Sequence, residues 1–408
     1  FLQILQQKMQ HPTKPFDLPD DNVASSSSTI RNPRTEIGSS SSRIVNSRRQ
    51  ISLSLRKPRN YCPARVGKTI IDLNKNHTYL LKNEIGSSSN GACHVYKALF
   101  SKYSTKNRAH TPSGHVTLKV INRIVFVNES KELQHSINVS KGYSTTINII
   151  GIKNNFNTEE FKCVSLPYMS HGSLRYILST RPDKRLPEEF IAVALKEVLI
   201  GLQDELHLKI DSRVHNTLNA GDIFVDINNA NGEMLIKLAF EASVYDSEDI
   251  NVEENSNEEE DILRSPPFLD PKKIAIWGAA PEGAIGPKSD IWLLGITALE
   301  LAYGELPVTN SEELIRIIKK IRKKKRFPIS LEKLLIVKKK GWRFKKTEHN
   351  LFKQKVFSEK FEKMVVKCLS KNPKKRPTAK QLLKSSFFKK ERDIEKFKQF
   401  VLNTEENN

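Results

Sequence analysis

From Tyr79 onward the chain carries short runs of β-branched and aromatic residues: Tyr79–Leu81, Val95–Phe100, Val116–Val120, Ile147–Ile152 and Phe161–Leu166. Such runs, bounded by polar and turn-forming residues, predict the strands of one sheet. After Gly172 the repeat lengthens to 3.6. In Pro187–His207 the residues Ile191, Ala194, Leu195, Val198, Leu199, Leu202 and Leu206 share one stripe, behind a proline expected at the first helical position and the acids Glu188 and Glu189. That pattern predicts a helix. Asn310 with Glu313 and Thr378 with Gln381 stand at capping-box spacing, the first ahead of Leu314, Ile317, Ile318 and Ile321, the second ahead of Leu382 and Leu383. Residues 1 to about 75 follow neither period. The polar runs Ser25–Ser28 and Ser39–Ser42, with scattered Pro, Asn and Arg, predict a disordered tail. No internal repeat is visible. A strand-rich part followed by a helix-rich part is an α+β arrangement, with a cleft where the two meet.

Charge narrows the function classes. The 408 residues carry 67 Lys+Arg against 46 Asp+Glu, a net charge of +21, but the excess is concentrated. Residues 1–70 hold twelve bases and four acids, and Arg316–Lys346 holds fifteen bases and only Glu332, so the remainder is close to neutral. Two basic segments rather than a basic fold argue against nucleic acid as the main partner. An anionic-surface or nuclear-import role for Lys319–Arg326 stays as an alternative, although Ile317, Ile318 and Ile321 predict the solvated face of an amphipathic helix. Asp246–Asp261 holds nine acids and no base, which predicts an exposed loop.

Hydrophobic residues make up 38% of the chain, below the average globular share, in keeping with an unfolded portion. No stretch approaches the ~18 apolar residues needed to span a bilayer, and the start lacks a secretory apolar region. Phe1 stands in place of an initiator Met, so the natural start is expected to be missing. Cys62, Cys93, Cys163 and Cys368 lie far apart without a C-x-x-C pair, and His94, His135, His171 and His349 show no ligand spacing. A disulfide framework and a zinc module are therefore not expected. A reducing compartment follows, the cytoplasm first and the nucleus as alternative.

Three stretches, Lys288–Ala302, Asn372–Ala379 and Leu166–Leu174, resemble in sequence and order those of a protein kinase domain, over roughly Tyr79–Lys390. They are most similar to the sterile-twenty-related Ser/Thr kinases, and within them to the plant group containing the blue-light-signalling kinase. The resemblance implies a two-lobed kinase fold of α+β class. A disordered basic tail (1–75) precedes a small β-rich lobe (76–168) and a larger helical lobe (169–392), with an acidic activation-segment loop at 246–270 and a C-terminal tail at 393–408.

Phosphoryl transfer requires a loop over the phosphates, a lysine, metal-holding side chains and a carboxylate to take the hydroxyl proton. The resemblance assigns the loop to Gly86, Gly91 and Val95, although Ile85–Val95 is two residues longer than the family loop and reads equally as a Ser/Gly hairpin. It assigns the lysine to Lys119, and Leu166, Tyr168 and Met169 to the nucleotide site. The acid that should pair with Lys119 falls at Ile137, with Glu132 the one substitute nearby. His215–Asp226 aligns with the catalytic loop. The base position is then Thr217, the neighbouring lysine Asn219 and the metal-holding asparagine Asp222. A threonine hydroxyl has no proton affinity near neutral pH, and losing general-base help costs about 10²–10⁴ in rate. The metal-binding aspartate of the next motif is Phe240, whose ring cannot ligate a hard dication. Glu241 is one residue off register.

Architectural positions survive. Glu282 matches the acid that Arg376 pairs with in the family, Asp290 the acid that holds the catalytic-loop backbone, and His215 is kept. Loss of chemistry with retention of scaffold implies an impaired kinase, a pseudokinase, that acts as a signalling regulator or scaffold. Its expected partners are proteins, such as an active kinase or that kinase's substrate. ATP is the implied nucleotide, while the replaced positions argue against Mg2+. Two other readings stay open: a weakly active Ser/Thr kinase using Lys119 with Asp222 or Glu241, and a binder of nucleic acid or anionic surfaces.

Overall fold

The structure, a computed structural model, describes residues 64–88, 91–141, 147–208, 213–228, 231–247, 286–336, 349–389 and 393–403. The small lobe is an antiparallel sheet of β1 (Thr69–Asp72), β2 (His77–Ser88), β3 (Cys93–Ser104), β4 (Ala109–Asn122), β5 (Asn154–Asn157) and β6 (Phe161–Pro167). Its order is β1-β2-β3-β4-β6-β5, with helix α1 (Val127–Ser140) inserted between β4 and β5. Successive side chains of a strand point to opposite faces. On β4 this sends Val116, Leu118 and Val120 into an outer core with Tyr79, Tyr96 and Phe161, while Ile121 joins a second core on the other face. Lys119, two residues before Ile121, shares its face.

The predicted strands are present but longer, with two differences. Ile147–Ile152 is not a strand: its one ladder contact is a parallel bridge between Ile149 and Leu238. Ile149 enters the large-lobe core and Ile150 and Ile152 the cleft-side core, so a β-branched run here reports burial without pairing. The folded part also begins earlier than residue 76. Thr69–Asp72 pairs with His77–Leu80, and the Asp72 carboxylate accepts from Asn154 Nδ2 at 2.8 Å, tying β1 to β5. Tyr96 donates its hydroxyl to the Ala64 carbonyl at 2.5 Å. The rest of the expected tail, 1–63, lies outside the described residues.

The large lobe begins with α2 (Leu174–Ser179) and α3 (Glu188–Ile200), which continues as a π-helical turn, Gly201–His207. Pro187 caps α3 from outside its first turn instead of occupying it. A hairpin of β7 (Ile223–Ile227) and β8 (Met234–Leu238) follows, and after it α4 (Pro287–Tyr303), α5 (Ser311–Lys324), α6 (Leu331–Ile336), α7 (Glu359–Cys368), α8 (Ala379–Leu383) and α9 (Ile394–Leu402). Every residue of α4 from Ser289 to Ala302 is buried, the mark of a helix at the centre of a lobe. Thr378 and Gln381 form the full capping box at α8. Asn310 caps α5, but the Glu313 carboxylate turns to the Thr309 amide, so that box is only half made. The presumed tail at 393–408 contains α9, whose Phe397 is fully buried and stacks on Phe190 at 5.0 Å; residues 394–402 thus belong to the lobe. Among the described residues no helix is long and apolar enough to cross a membrane.

Candidate functional site

The loop that should carry the chemistry is built around Asp290, which is wholly buried in the first turn of α4. Its carboxylate accepts from the amides of His215 (2.9 Å) and Asn216 (2.8 Å) and faces His207 Nε2 at 2.9 Å. Charge-assisted bonds of this kind are the strong ones, and an acid in a helix's first turn is favoured by the helix dipole. Asn216 takes a φ of +64°, a conformation such bonds can hold in place. Deeper in, Glu300 accepts from the Ala220 amide (3.0 Å) and pairs with Arg175 at 2.8 Å. Arg175 also donates to Asn219 Oδ1 at 2.7 Å. The loop's frame is therefore complete.

The reactive positions are a different matter. Thr217 is exposed, and its hydroxyl lies 3.3 Å from His215 Nδ1. Asn219, at the lysine position, donates to Asp222 Oδ2 at 2.7 Å and caps the short turn Ala220–Asp222. Asp222 is buried, and this oxygen also receives the Asn219 amide, so its carboxylate serves the loop's own geometry. Phe240 is 3% exposed, sits in the large-lobe core and tilts against the His215 ring at 5.8 Å. His215 Nε2 meets the Ala239 carbonyl at 2.6 Å, which fixes that segment to the catalytic loop.

Beyond Phe240 the chain makes a 3-10 turn, Glu241–Ser243, closed by Ser243 Oγ against the Phe240 amide (2.8 Å) and carbonyl (3.0 Å). Glu241 takes a φ of +53°, a strained setting for a side chain with a Cβ. The turn is pinned to α1, where Ser140 Oγ accepts from the Ala242 amide at 3.2 Å. Ile137, at the expected acid position, is buried in the cleft-side core, and Glu132 is exposed and does not pair with Lys119. Lys119, itself buried, instead donates to the carbonyls of Ala242 (2.9 Å) and Val244 (2.8 Å). It lies near enough to Cys93 to oppose the upward push that burial gives that thiol.

The segment then turns into the cleft. Tyr245 is 7% exposed and packs on Phe224 at 4.9 Å, within the core that contains Ile85, Val95, Leu166, Met169 and Ala239. Burial pushes its phenol above the ordinary range, with a smaller opposing pull from the Thr117 hydroxyl, which forms no well-aligned bond to it. Asp246–Ser247 forms a short strand, β9, antiparallel to Ser87 and Gly86 of β2.

Of the expected site residues, Val95, Leu166 and Met169 share the cleft-side core, with Tyr168 partly buried against it. Gly86 pairs with Val95, and the pairing continues to Ser88 and Cys93; Gly91 takes a φ of +80°. Arg376 is buried, donates to the carbonyls of Ser370 (2.8 Å) and Lys288 (2.9 Å) and lies over the Trp292 ring. Its expected partner Glu282 and the acidic run past Ser247 lie outside the described residues. Tyr245 was missed. The only signal for it is the apolar pair Val244–Tyr245 just before the acids begin.

A family model described as the protein kinase domain matches residues 100–388. The chain is similar to serine/threonine-protein kinase dst1 of Dictyostelium discoideum, 23% identical over 345 residues, 84% of this chain and 39% of that protein. It is 27% identical over 308 residues to the same organism's serine/threonine-protein kinase 4 homolog B, covering 75% of this chain and 22% of the relative. To serine/threonine-protein kinase cst-1 of Caenorhabditis elegans it is 26% identical over 306 residues, covering 75% and 50%. The chain spans half or less of the length of each of these curated relatives. A match over most of the chain, on a strand-built small lobe and a helical large lobe with the loop geometry above, means that this chain belongs to the protein kinase domain family.

Proposed function

We propose that this protein is a catalytically impaired member of the Ser/Thr kinase branch, a signalling regulator or scaffold that works through protein contacts and not through phosphoryl transfer. The observation that carries this reading is the pair Thr217 and Phe240: the base position holds an exposed hydroxyl, and the metal position a ring buried against His215. Phosphoryl transfer is mostly positioning and charge stabilisation, so losing both the proton acceptor and the metal-holding oxygen removes what the fold is there to position. Asp222, the acid at the metal-holding asparagine position, is already engaged by Asn219. ATP is the nucleotide the family implies, and Mg2+ is disfavoured. The partner class is another protein, an active kinase or its substrate, with the cytoplasm as first location. Nearness to the plant blue-light group rests on the motifs Lys288–Ala302, Asn372–Ala379 and Leu166–Leu174.

A second reading, a weakly active kinase, is favoured by the retention of Lys119, with Asp222 or Glu241 as the unconventional acid. One assay separates the two. The purified chain is incubated with radiolabelled ATP, Mg2+ or Mn2+ and a basic protein substrate, beside Lys119→Ala. Transfer no greater in the parent chain than in Lys119→Ala is expected. Metal-dependent transfer that disappears in Lys119→Ala establishes the weak kinase instead.

A further inference from the structure

We propose that Phe240–Ser247 is a built-in strap that occupies the cleft where a nucleotide base would lie and closes it. The proposal goes beyond the reading above, which concerns transfer and not access. Three attachments carry it, and each takes something a nucleotide would need. The Lys119 ammonium, the cation available for phosphate on β4, donates to the strap's carbonyls at Ala242 and Val244. The cleft-side apolar core that contains Val95, Leu166 and Phe224 also takes in the Tyr245 ring, tilted at 39° to Phe224 with a centroid distance of 4.9 Å. The backbone of the β2–β3 hairpin at Gly86 and Ser87, which would have to approach phosphates, is paired with Ser247 and Asp246.

The strap's own start is well anchored. His215 holds Ala239, Ser243 closes the turn and Ser140 of α1 holds Ala242. Ile137, with no carboxylate to offer Lys119, packs into the same core as Tyr245. Among the described residues the far end is held by the two-residue β9 pairing and the Tyr245 ring. Release therefore starts from that end, and it exposes the cleft-side core and the Lys119 ammonium together. A ligand must wait for the released state, so its apparent affinity falls by the fraction of time the strap is open; a strap closed nine-tenths of the time or more weakens binding about tenfold or more.

The test titrates adenosine and metal-free ATP into the full chain and into Tyr245→Gly and Tyr245→Phe, by calorimetry and thermal shift. The parent chain and Tyr245→Phe, which keeps the ring, are expected to give no saturable binding in the millimolar range. Tyr245→Gly is expected to bind adenosine at least about tenfold more tightly than the parent. Equal affinities in the parent and Tyr245→Gly overturn the strap. If Tyr245→Gly does not fold, hydrogen exchange on the parent decides: slow amide exchange through 244–247, unchanged by ATP, supports the strap, and exchange at unstructured-chain rates overturns it. Nucleotide binding without transfer by the parent removes the strap and leaves the impaired-kinase reading standing. Transfer by the parent removes that reading and leaves the strap to the titration.

Discussion

At the scale of single residues, Asp290 and Thr217 differ in what holds them. Asp290 keeps three partners and full burial while Thr217, two residues from a backbone that Asp290 holds, has no proton affinity to offer. Replacing Asp290 with Ala leaves the buried His215 amide unpaired, at about 1–3 kcal/mol, and the half-buried Asn216 amide without its carboxylate. A lowered urea midpoint is expected for Asp290→Ala, with a smaller loss for Asp290→Asn, which keeps one acceptor oxygen; equal midpoints for Ala and the parent would remove its structural role. These positions were legible because a motif fixes register by spacing, and register alone assigns Asp290, His215 and Thr217. Tyr245 was not legible, because its role depends on how far the chain folds back after Phe240. Nothing in the local sequence encodes that distance. The expectation that Glu132 could rescue Lys119 failed for a related reason: strand alternation puts Lys119 on the cleft face, but the phase of α1 puts Ile137 there and Glu132 in solvent.

At the scale of elements, periodicity was informative wherever one face is buried. The basic run shows this. Ile317, Ile318 and Ile321 are buried while Lys319 and Lys323–Arg326 are exposed, so α5 displays the solvated face that its spacing predicts. The reading was weakest for short pieces inside polar surroundings. Thr69–Asp72 has four residues and was taken with the tail, although Ile70 is 3% exposed and Asp72 bonds across the sheet. Ile394–Leu402 was likewise taken with the tail, a nine-residue helix with two fully buried residues, Phe397 and Val401, beyond the chain stretch that the motifs cover. The packing of α4 on α7 gives a sharper test. A Cβ on Gly295 would lie 2.9 Å from Cys368 Cβ and from Leu369 Cγ, both in a closely packed core. Gly295→Ala is therefore expected to destabilise by about 1–3 kcal/mol despite the helix propensity it gains. A thermal midpoint at or above the parent's would mean that the α4–α7 contact can open at little cost.

At the scale of the molecule, under the two proposals, the replaced positions and the strap act at successive stages of one reaction, so that repairing one leaves the other in force. Thr217→Asp restores a proton acceptor at an exposed position, where a carboxylate costs little. Phe240→Asp places a charge where the ring is 3% exposed and packed on His215, and burying an unpaired carboxylate is costly. The Thr217→Asp/Phe240→Asp double variant is therefore expected to be less stable than the parent and still inactive, because Tyr245 stays packed on Phe224 and Lys119 stays on the strap's carbonyls. Adding Tyr245→Gly should yield Mg2+-dependent transfer from ATP that neither the double variant nor Tyr245→Gly alone supports, the non-additive behaviour of groups that act as a unit. Measuring initial rates for all three variants checks this. Transfer by the double variant with Tyr245 in place would show that the strap yields to ATP without help, and that Thr217 and Phe240 alone had silenced the fold.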